Sequence, residues 1–249
     1  MNARASYPTL RNAPITEAVI DLRVAAALPF TPDLLQRYRD QFVSAFPQIE
    51  EQRRVEALFE SVEGGPVRQS MSDYGVKRLV MRSDDRNEAV MVSDTGFAFS
   101  KLRPYTDWPH VFTAAKEFWL RYADVAKVEG LARLAVRYIN HFPVSRGSSL
   151  SDFLEAPPEL PKTVTLGEVQ SVFRRLALRD IRTDIETVVV QAITLGADEA
   201  TVVLDIDASL SGSFPANEEM WTYFEELRAA KNRIFFGSIT PHAEEEFNR

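Results

Sequence analysis

Charged residues alternate with apolar ones along two segments of the chain, and they are its first candidates for chemistry. Glu17, Asp21 and Arg23 have even spacing in the first segment, which places them on one face of a predicted strand. Arg133 and Arg137 follow the same pattern in the second segment. If the two strands occupy equivalent places in two similar halves of the protein, their polar faces can meet. We then predict that Asp21 or Glu17 holds Arg137, because carboxylates and guanidinium groups form bidentate pairs. The alternative is an exposed row of arginines that binds an anionic ligand.

His141 follows on the same predicted face as Arg137, next to Asn140, and is the histidine best placed to act as a general base. A structural role for this histidine is the favoured interpretation. The chain has three histidines and no cysteine, and the spacing of the histidines matches no zinc motif. We therefore expect no zinc site.

Asp205 and Asp207 stand two residues apart on another predicted strand, so their carboxylates emerge on one face. Paired carboxylates can hold Mg²⁺ or Mn²⁺, which makes these two residues weak candidates for a metal site. The favoured interpretation is a polar strand face in solvent, because a metal site needs further ligands that the spacing does not identify.

Linear motifs of common enzymes are missing from the sequence. There is no G-x-S-x-G nucleophile motif, no P-loop and no G-x-G-x-x-G dinucleotide motif. The usual cradles for nucleotide phosphates are therefore absent, and we expect no cofactor. The sequence leans away from an enzyme, although an acid–base site needs no linear motif.

Aromatic residues towards the C-terminus are candidates for a partner surface. Trp221 and Tyr223 lie off the apolar stripe of the last predicted helix, and Phe235 and Phe236 follow in a tail that contains many acidic residues. Apolar anchors in a charged surround are typical of docking surfaces. The alternative is that this tail folds back on the protein's own core.

Hydrophobic periodicity defines the elements that position these residues. Period-2 patterns predict strands, and 3.6-residue patterns predict three main helices. Thr31 followed by Pro32, then Asp107 and later Asn217, mark the three helix starts. The predicted strands are 18–24, several within 54–102, 131–142, 169–178, 187–195 and 200–210.

This order of elements predicts an α+β protein with a largely antiparallel, curved sheet, since the connections are too short for parallel crossovers. Two topologically similar βαβββα halves, residues 1–127 and 128–249, are expected to pack as one compact unit. They form either one continuous sheet or two packed sheets. By analogy, the element order is similar to the saddle of TATA-box-binding proteins and to helix-grip folds, and such an analogy carries no function.

Four short motifs also point to relatives of the chain. They are NAPITEAV at 12–19 leading into DLR at 21–23, VRYIN at 136–140, LDIDA at 204–208 and FFGSIT at 235–240. These stretches resemble a sporadically distributed, uncharacterised family of bacterial and archaeal proteins of similar length. The resemblance implies a protein without appended domains, and it carries over no activity or catalytic residue.

Net charge and hydropathy limit the cellular location of the protein and the classes of molecule that it can bind. The chain has 29 basic and 36 acidic residues, and its net charge of −7 arises wholly after Lys127, so nucleic acid is an unlikely partner. The N-terminal residues lack the apolar stretch of a secretion signal, and no apolar run is long enough to span a membrane. We therefore expect a cytoplasmic protein.

We predict from the sequence a non-enzymatic accessory protein that acts through a protein partner or as a homo-oligomer. The sporadic distribution of the similar family suggests a stress or phage-defence cassette. The first alternative is a small-molecule-binding protein or lyase-like enzyme, which requires an enclosed pocket of about 300 Å³ or more between sheet and helices. The second alternative is a nucleic-acid-binding saddle.

Overall fold

The computed structural model describes residues 7–28, 30–60, 68–145, 147–158, 170–196 and 199–249. Over these residues the chain is an α+β protein, as predicted, built on one open antiparallel sheet of nine strands. The strands are β1 (Ile15–Val24), β2 (Gln48–Glu60), β3 (Arg68–Arg82), β4 (Glu88–Ser93), β5 (Gly96–Leu102), β6 (Gly130–Ser145), β7 (Ser171–Arg179), β8 (Glu186–Leu195) and β9 (Glu199–Pro215). The helices are α1 (Pro32–Phe42), α2 (Trp108–Ala126), α3 (Leu150–Phe153), α4 (Tyr223–Ser238) and α5 (Pro241–Phe247).

The strand order shows two similar halves that meet at the centre of the sheet. The order is β2-β3-β4-β5-β1-β6-β9-β8-β7, so β1 and β6 are antiparallel neighbours in the middle. In each half the last strand pairs with the first, β5 with β1 and β9 with β6. The sheet is therefore continuous across the halves, and β2 makes the first half one strand wider than the second.

Strict alternation along the central strands puts the core on one side of the sheet. Ala18, Ile20 and Leu22 of β1 are fully buried against the helices, and the residues between them point to the opposite side. Val111 and Tyr122 lie on the buried stripe of α2, which packs over the first half. We call the side of the sheet opposite these helices the open face.

Two of the three predicted helix starts agree with the structure. The side chains of Thr31 and Asp107 cap α1 and α2, and each accepts a hydrogen bond from the backbone N–H three residues on. Asn217 instead caps a 3₁₀ turn, Glu218–Thr222, and α4 starts only at Tyr223. No helix in the described part of the chain is long and apolar enough to cross a membrane.

The C-terminal tail packs on the protein's own core, which is the alternative that the sequence left open. Ile239 and Phe247 are buried, and the Phe247 ring meets the Phe142 ring of β6 edge-on with centroids 5.1 Å apart. The backbone N–H of Asn12 donates to the Phe247 carbonyl at 2.8 Å. The acidic residues of the tail therefore surround an apolar contact that is internal.

A hairpin of β2 and β3 extends beyond the rest of the sheet. Of the residues of β3, only 78–82 pair with β4. The outer parts of β2 and β3 therefore pair only with each other. We call the described outer residues, 53–60 and 68–76, the arm. The exposed large apolar residues of the arm are Val55, Leu58, Met71 and Tyr74.

Candidate functional site

The open face brings together most of the charged residues that the sequence singles out. Arg133 of β6 lies between two carboxylates. Its Nη1 donates to Asp21 Oδ1 at 3.0 Å, and its Nη2 donates to both carboxylate oxygens of Asp207 at 2.8 and 3.0 Å. Asp21 also accepts from Nε of Arg23 at 2.9 Å. These four side chains therefore form a balanced ionic network across β1, β6 and β9.

Arg137 is paired, but the partner predicted from the sequence is wrong. Its Nε and Nη2 donate to the two carboxylate oxygens of Asp205 at 2.9 and 2.6 Å. The prediction of Asp21 or Glu17 failed because β9 flanks β6 on the side opposite β1, and Asp21 already pairs with Arg133. The bidentate hydrogen bond to Asp205 raises the pKa of Arg137.

Asp205 and Asp207, the weak metal candidates, are partners of arginines instead. Among the described residues, no group of three or more His, Cys, Asp or Glu side chains could hold a metal ion. Burial raises the pKa of Asp207, and the charge of Arg133 opposes that rise. The two carboxylates thus hold the central strands in register, rather than lying free in solvent.

The centre of the open face is hollow. A cavity of about 280 Å³ extends over residues of β3, β4, β5, β1, β6 and β9, and small side chains such as Ala98 and Ala135 lie at its base. Carboxylates and guanidinium groups both line it. The carboxylates of this lining repel phosphates, so the lining disfavours the nucleic-acid backbone as a ligand.

His141 and Asn140 lie apart from the ionic network. His141 is exposed at the end of β6, where its backbone N–H donates to the Pro14 carbonyl at 2.8 Å, and its ring has no hydrogen-bond partner among the described residues. Asn140 points to the helix side, where it is buried and its Nδ2 donates to the Leu204 carbonyl at 2.9 Å. The structure therefore does not bring these two residues together with Arg137.

Trp221 and Phe235, which the sequence placed on a partner surface, are core residues with 5% exposure each. The Trp221 ring packs edge-on against Phe112 of α2 with centroids 5.5 Å apart. Tyr223 and Phe236 are half-buried and also pack against the core. The 3₁₀ turn before α4 changes the phase of this segment, and as a result Trp221 turns inward.

A second cavity lies on the helix side of the sheet and was not predicted. Its volume is about 140 Å³, and it lies between the N-terminal segment, the connection from β5 to α2, the strand β6 and the helix α4. We call it the Lys231 cavity after the lysine of α4 that lines it. Its aromatic lining consists of Tyr7, Tyr105, Trp108, Tyr138, Phe235 and Phe236.

Lys231 reaches this cavity from the buried side of α4. The residue is 8% exposed, and its Nζ lies 3.8 Å from the centre of the Tyr138 ring, within the range of a cation–π contact. Nζ has no hydrogen-bond or ion-pair partner in the described part of the chain. Burial, and secondly the positive charge of Arg228, lower the pKa of Lys231 to about 7.

Further polar groups converge on the Lys231 cavity. The hydroxyl groups of Tyr105 and Tyr138 are 3.3 Å apart, and burial raises the pKa of both phenols. The guanidinium group of Arg228 lies 5.4 Å from the centre of the Trp108 ring and 3.6 Å from a carboxylate oxygen of Glu225. The cavity therefore combines apolar walls with an amine, a guanidinium group and neutral phenols.

The sequence does contain a signal for Lys231. The buried positions of α4 are Phe224, Leu227, Lys231 and Phe235, which follow each other at spacings of three and four residues. An apolar pattern alone continues this stripe through the neighbouring Ala230 and Ile234, because lysine is not counted as an apolar residue. A cation within an apolar stripe indicates either a hidden partner or a functional group.

Comparison with known proteins finds no family model that matches the chain and no significant match among curated proteins. The case for function therefore rests on the geometry of the chain itself.

Proposed function

We propose that the protein binds a small organic ligand in the Lys231 cavity. The observation that carries this proposal is the Lys231 side chain on the cavity wall, which is 8% exposed and whose amine has no hydrogen-bond or ion-pair partner among the described residues. Burial of an unpaired polar or charged group costs folding free energy. Perturbed groups of this kind concentrate at functional sites, where a ligand supplies the missing partner.

The size of the cavity limits the ligand. Its volume of about 140 Å³ is well below the size that the sequence analysis required of a ligand pocket. A cavity of roughly 150 Å³ is sufficient for benzene. The part of the ligand that enters therefore has about six to eight non-hydrogen atoms.

The lining favours a negatively charged ligand. Arg228 presents a positive charge, and the amine of Lys231 and the hydroxyl of Tyr105 are further hydrogen-bond donors for an anion. Asp107 also lines the cavity, but its carboxylate accepts the backbone N–H of His110 at 2.8 Å as the cap of α2. A small carboxylate with an apolar body therefore matches both the charge and the aromatic walls.

Binding of small carboxylates that lack a carbonyl group, such as lactate and benzoate, tests this proposal. Calorimetry or ligand-detected NMR measures the affinity of the wild-type protein and of Lys231→Met, which keeps the shape of the side chain and removes the amine. We expect binding by the wild-type protein and a loss of affinity of roughly tenfold or more in the variant, since a charge-assisted hydrogen bond contributes about 1.5–3 kcal/mol.

Lys116→Met is the matched control. Lys116 lies on the outer side of α2 and forms an ion pair with Glu218 at 2.8 Å, outside the cavity lining. This variant is expected to bind like the wild-type protein. Equal affinity in Lys231→Met and the wild-type protein, or no binding by either, would reject the proposal.

The protein-partner role predicted from the sequence remains a second proposal, and the arm favours it. Four large apolar side chains of the arm are exposed, although an isolated two-stranded hairpin is only marginally stable in water. Among the described side chains of the arm, Arg53 pairs with Asp73 and Arg54 with Glu56, so these charges would not make two arms repel each other. The partner that fits best is a second copy of this chain.

The oligomeric state tests this second proposal. The double variant Leu58→Ser/Met71→Ser removes two exposed apolar groups of the arm, whereas Leu120→Ser removes a comparably exposed one from α2. Light scattering after size exclusion should give a dimer for the wild-type protein and Leu120→Ser, and a monomer for the double variant. A monomeric wild-type protein would reject the proposal.

A further inference from the structure

We propose that the amine of Lys231 is a nucleophile that forms an imine with the carbonyl carbon of a small 2-oxo acid. This inference rests on the proposed function, since the acid must first occupy the Lys231 cavity. It adds a reversible covalent bond to Nζ, where the proposed function requires only ionic and hydrogen-bonded contacts.

An amine attacks a carbonyl group only in its neutral form, and the surroundings of Lys231 favour that form. The titratable and charged groups that line the same cavity are Tyr7, Tyr105, Asp107, Tyr138 and Arg228. Arg228 has the same charge as a lysine ammonium and lies one helical turn away on α4. The carboxylate of Asp107 is engaged at the start of α2, and the described residues place no carboxylate within ion-pair distance of Nζ.

Lys101 of β5 is a matched lysine that lacks these conditions. It is 5% exposed, so its burial is similar to that of Lys231. Its Nζ, however, donates to Asn87 Oδ1 at 2.9 Å and lies 3.6 Å from a carboxylate oxygen of Glu88. A paired ammonium group has no lone pair for attack. The described part of the chain therefore has two buried lysines, Lys101 and Lys231, and of these only Lys231 lacks a carboxylate partner there.

The reaction balances without a further reagent. The nitrogen lone pair forms a C–N bond, the carbonyl π pair moves to oxygen, and a proton passes from nitrogen to that oxygen to give a carbinolamine. The nitrogen lone pair then forms the C=N bond while the C–O bond breaks, and the hydroxyl leaves as water with the remaining proton of the nitrogen. The hydroxyl groups of Tyr105 and Tyr138, 3.3 Å apart in the same cavity, are placed to pass these protons.

A 2-oxo acid fits both the charge and the size of the cavity. Arg228 and Lys231 are three residues apart and lie on neighbouring turns of α4, so one group can contact the carboxylate while the other meets the adjacent carbonyl carbon. A three-carbon 2-oxo acid has about as many non-hydrogen atoms as benzene, which a cavity of roughly 150 Å³ holds. Pyruvate is therefore the probe.

Reductive trapping on the intact chain tests the inference. The protein is incubated with pyruvate and cyanoborohydride near neutral pH, digested, and its modified lysines are identified by mass spectrometry. We expect the adduct at Lys231 to exceed that at Lys101 or Lys116 by roughly tenfold or more, because an ordinary lysine is about one-thousandth neutral at this pH. The yield at Lys231 should rise with pH around a midpoint near 7, the value to which burial lowers its pKa.

An absent adduct at Lys231, or equal labelling of all reactive lysines, would overturn the inference. Lactate, which lacks the carbonyl group, separates this outcome from failure of the proposed function. Lactate binding that depends on Lys231 without any pyruvate adduct rejects the imine and retains the binding site, whereas loss of both rejects both. Tyr105→Phe should slow trapping several-fold more than it weakens lactate binding, and a trapping rate that falls only in proportion to lactate affinity would remove Tyr105 from the proton transfer.

Discussion

On the open face of β6, Arg133 contacts carboxylates on both neighbouring strands and Arg137 forms a bidentate pair with Asp205. On the helix side of the same strand, Lys231 of α4 contacts the ring of Tyr138 and has no charged partner among the described residues. On the open face, the arginines are therefore paired with carboxylates. In the Lys231 cavity, the amine instead lies among mostly apolar side chains.

The difference separates the arginines, whose charges stabilise the sheet, from Lys231, whose amine is available to react with a ligand. A guanidinium group with two hydrogen-bonded carboxylates fixes strand register, and its charge is already neutralised. A buried amine without a partner reduces stability, and the reduction is relieved only by a ligand or by loss of the proton. Substitutions on the two sides of β6 should therefore change stability in opposite directions.

The largest expected effect is a gain of stability in Lys231→Met. The free energy of unfolding should rise by up to about 5 kcal/mol at about pH 6, because the pKa of Lys231 falls from 10.5 to about 7 and each pH unit between these values contributes about 1.4 kcal/mol. The pKa of Lys231 is about 7 in the folded protein and 10.5 for an ordinary lysine, so the unfolded chain binds more protons between these values. The gain should therefore be complete below pH 7 and fade as pH rises towards 10.5. Urea unfolding at several pH values measures it.

Lys101→Met is the control for that substitution. It should lower the free energy of unfolding by about 1–3 kcal/mol, because Asn87 and Glu88 lose their partner. A loss of stability in both lysine variants would show that the two buried amines are equivalent. It would reject the claim that Lys231, unlike Lys101, lowers the stability of the protein.

Arg133→Ala is expected to have the next largest effect, with the opposite sign. Asp207 accepts two hydrogen bonds from Arg133 and would remain partly buried without them, so the free energy of unfolding should fall by about 2 kcal/mol. Asp207→Asn in the same background should recover part of the loss, because it removes the unpaired charge. Thermal unfolding of the two single variants and the double variant measures the coupling, and additive losses would contradict an ion pair.

Arg137→Ala should have the smallest effect. The side chain of Arg137 is 47% exposed, so solvent screens its pair with Asp205 and the loss should be about 1 kcal/mol. Salt titration is the sharpest readout, since the difference from the wild-type protein should shrink at high ionic strength. If the variant keeps its stability and loses affinity for an anion instead, the alternative of an anion-binding arginine is correct.

Much of the fold was predictable because it depends on local patterns. The alternation of Ala18, Ile20 and Leu22, the caps at Thr31 and Asp107, and the short connections between strands together determine strands, helices and antiparallel pairing. That Arg137 pairs with a carboxylate was also predictable, because its position in the alternating pattern places it on the polar face of the strand. Its partner was not, because the choice between β1 and β9 depends on strand order, which no local pattern encodes.

The Lys231 cavity and the C-terminal aromatic residues also depend on the tertiary arrangement, which local sequence patterns do not encode. Trp221 faces inward because a 3₁₀ turn shifts the phase of one short segment, and periodicity assumes a continuous helix. The buried position of Lys231 was recoverable from the stripe of α4. Its lack of a partner was not, because that depends on four segments distant in sequence that meet around one amine.

The most direct test of the account is a pH titration of the lysines by NMR with ¹³C at the ε position. The chain has six lysines, and the signal of Lys231 is assigned as the one that disappears in Lys231→Met. We predict that this signal titrates with a midpoint near pH 7, because burial lowers the pKa of Lys231 to about 7. A Lys231 signal that titrates like an ordinary lysine, near pH 10.4, would contradict the account, because the amine would then be charged at neutral pH.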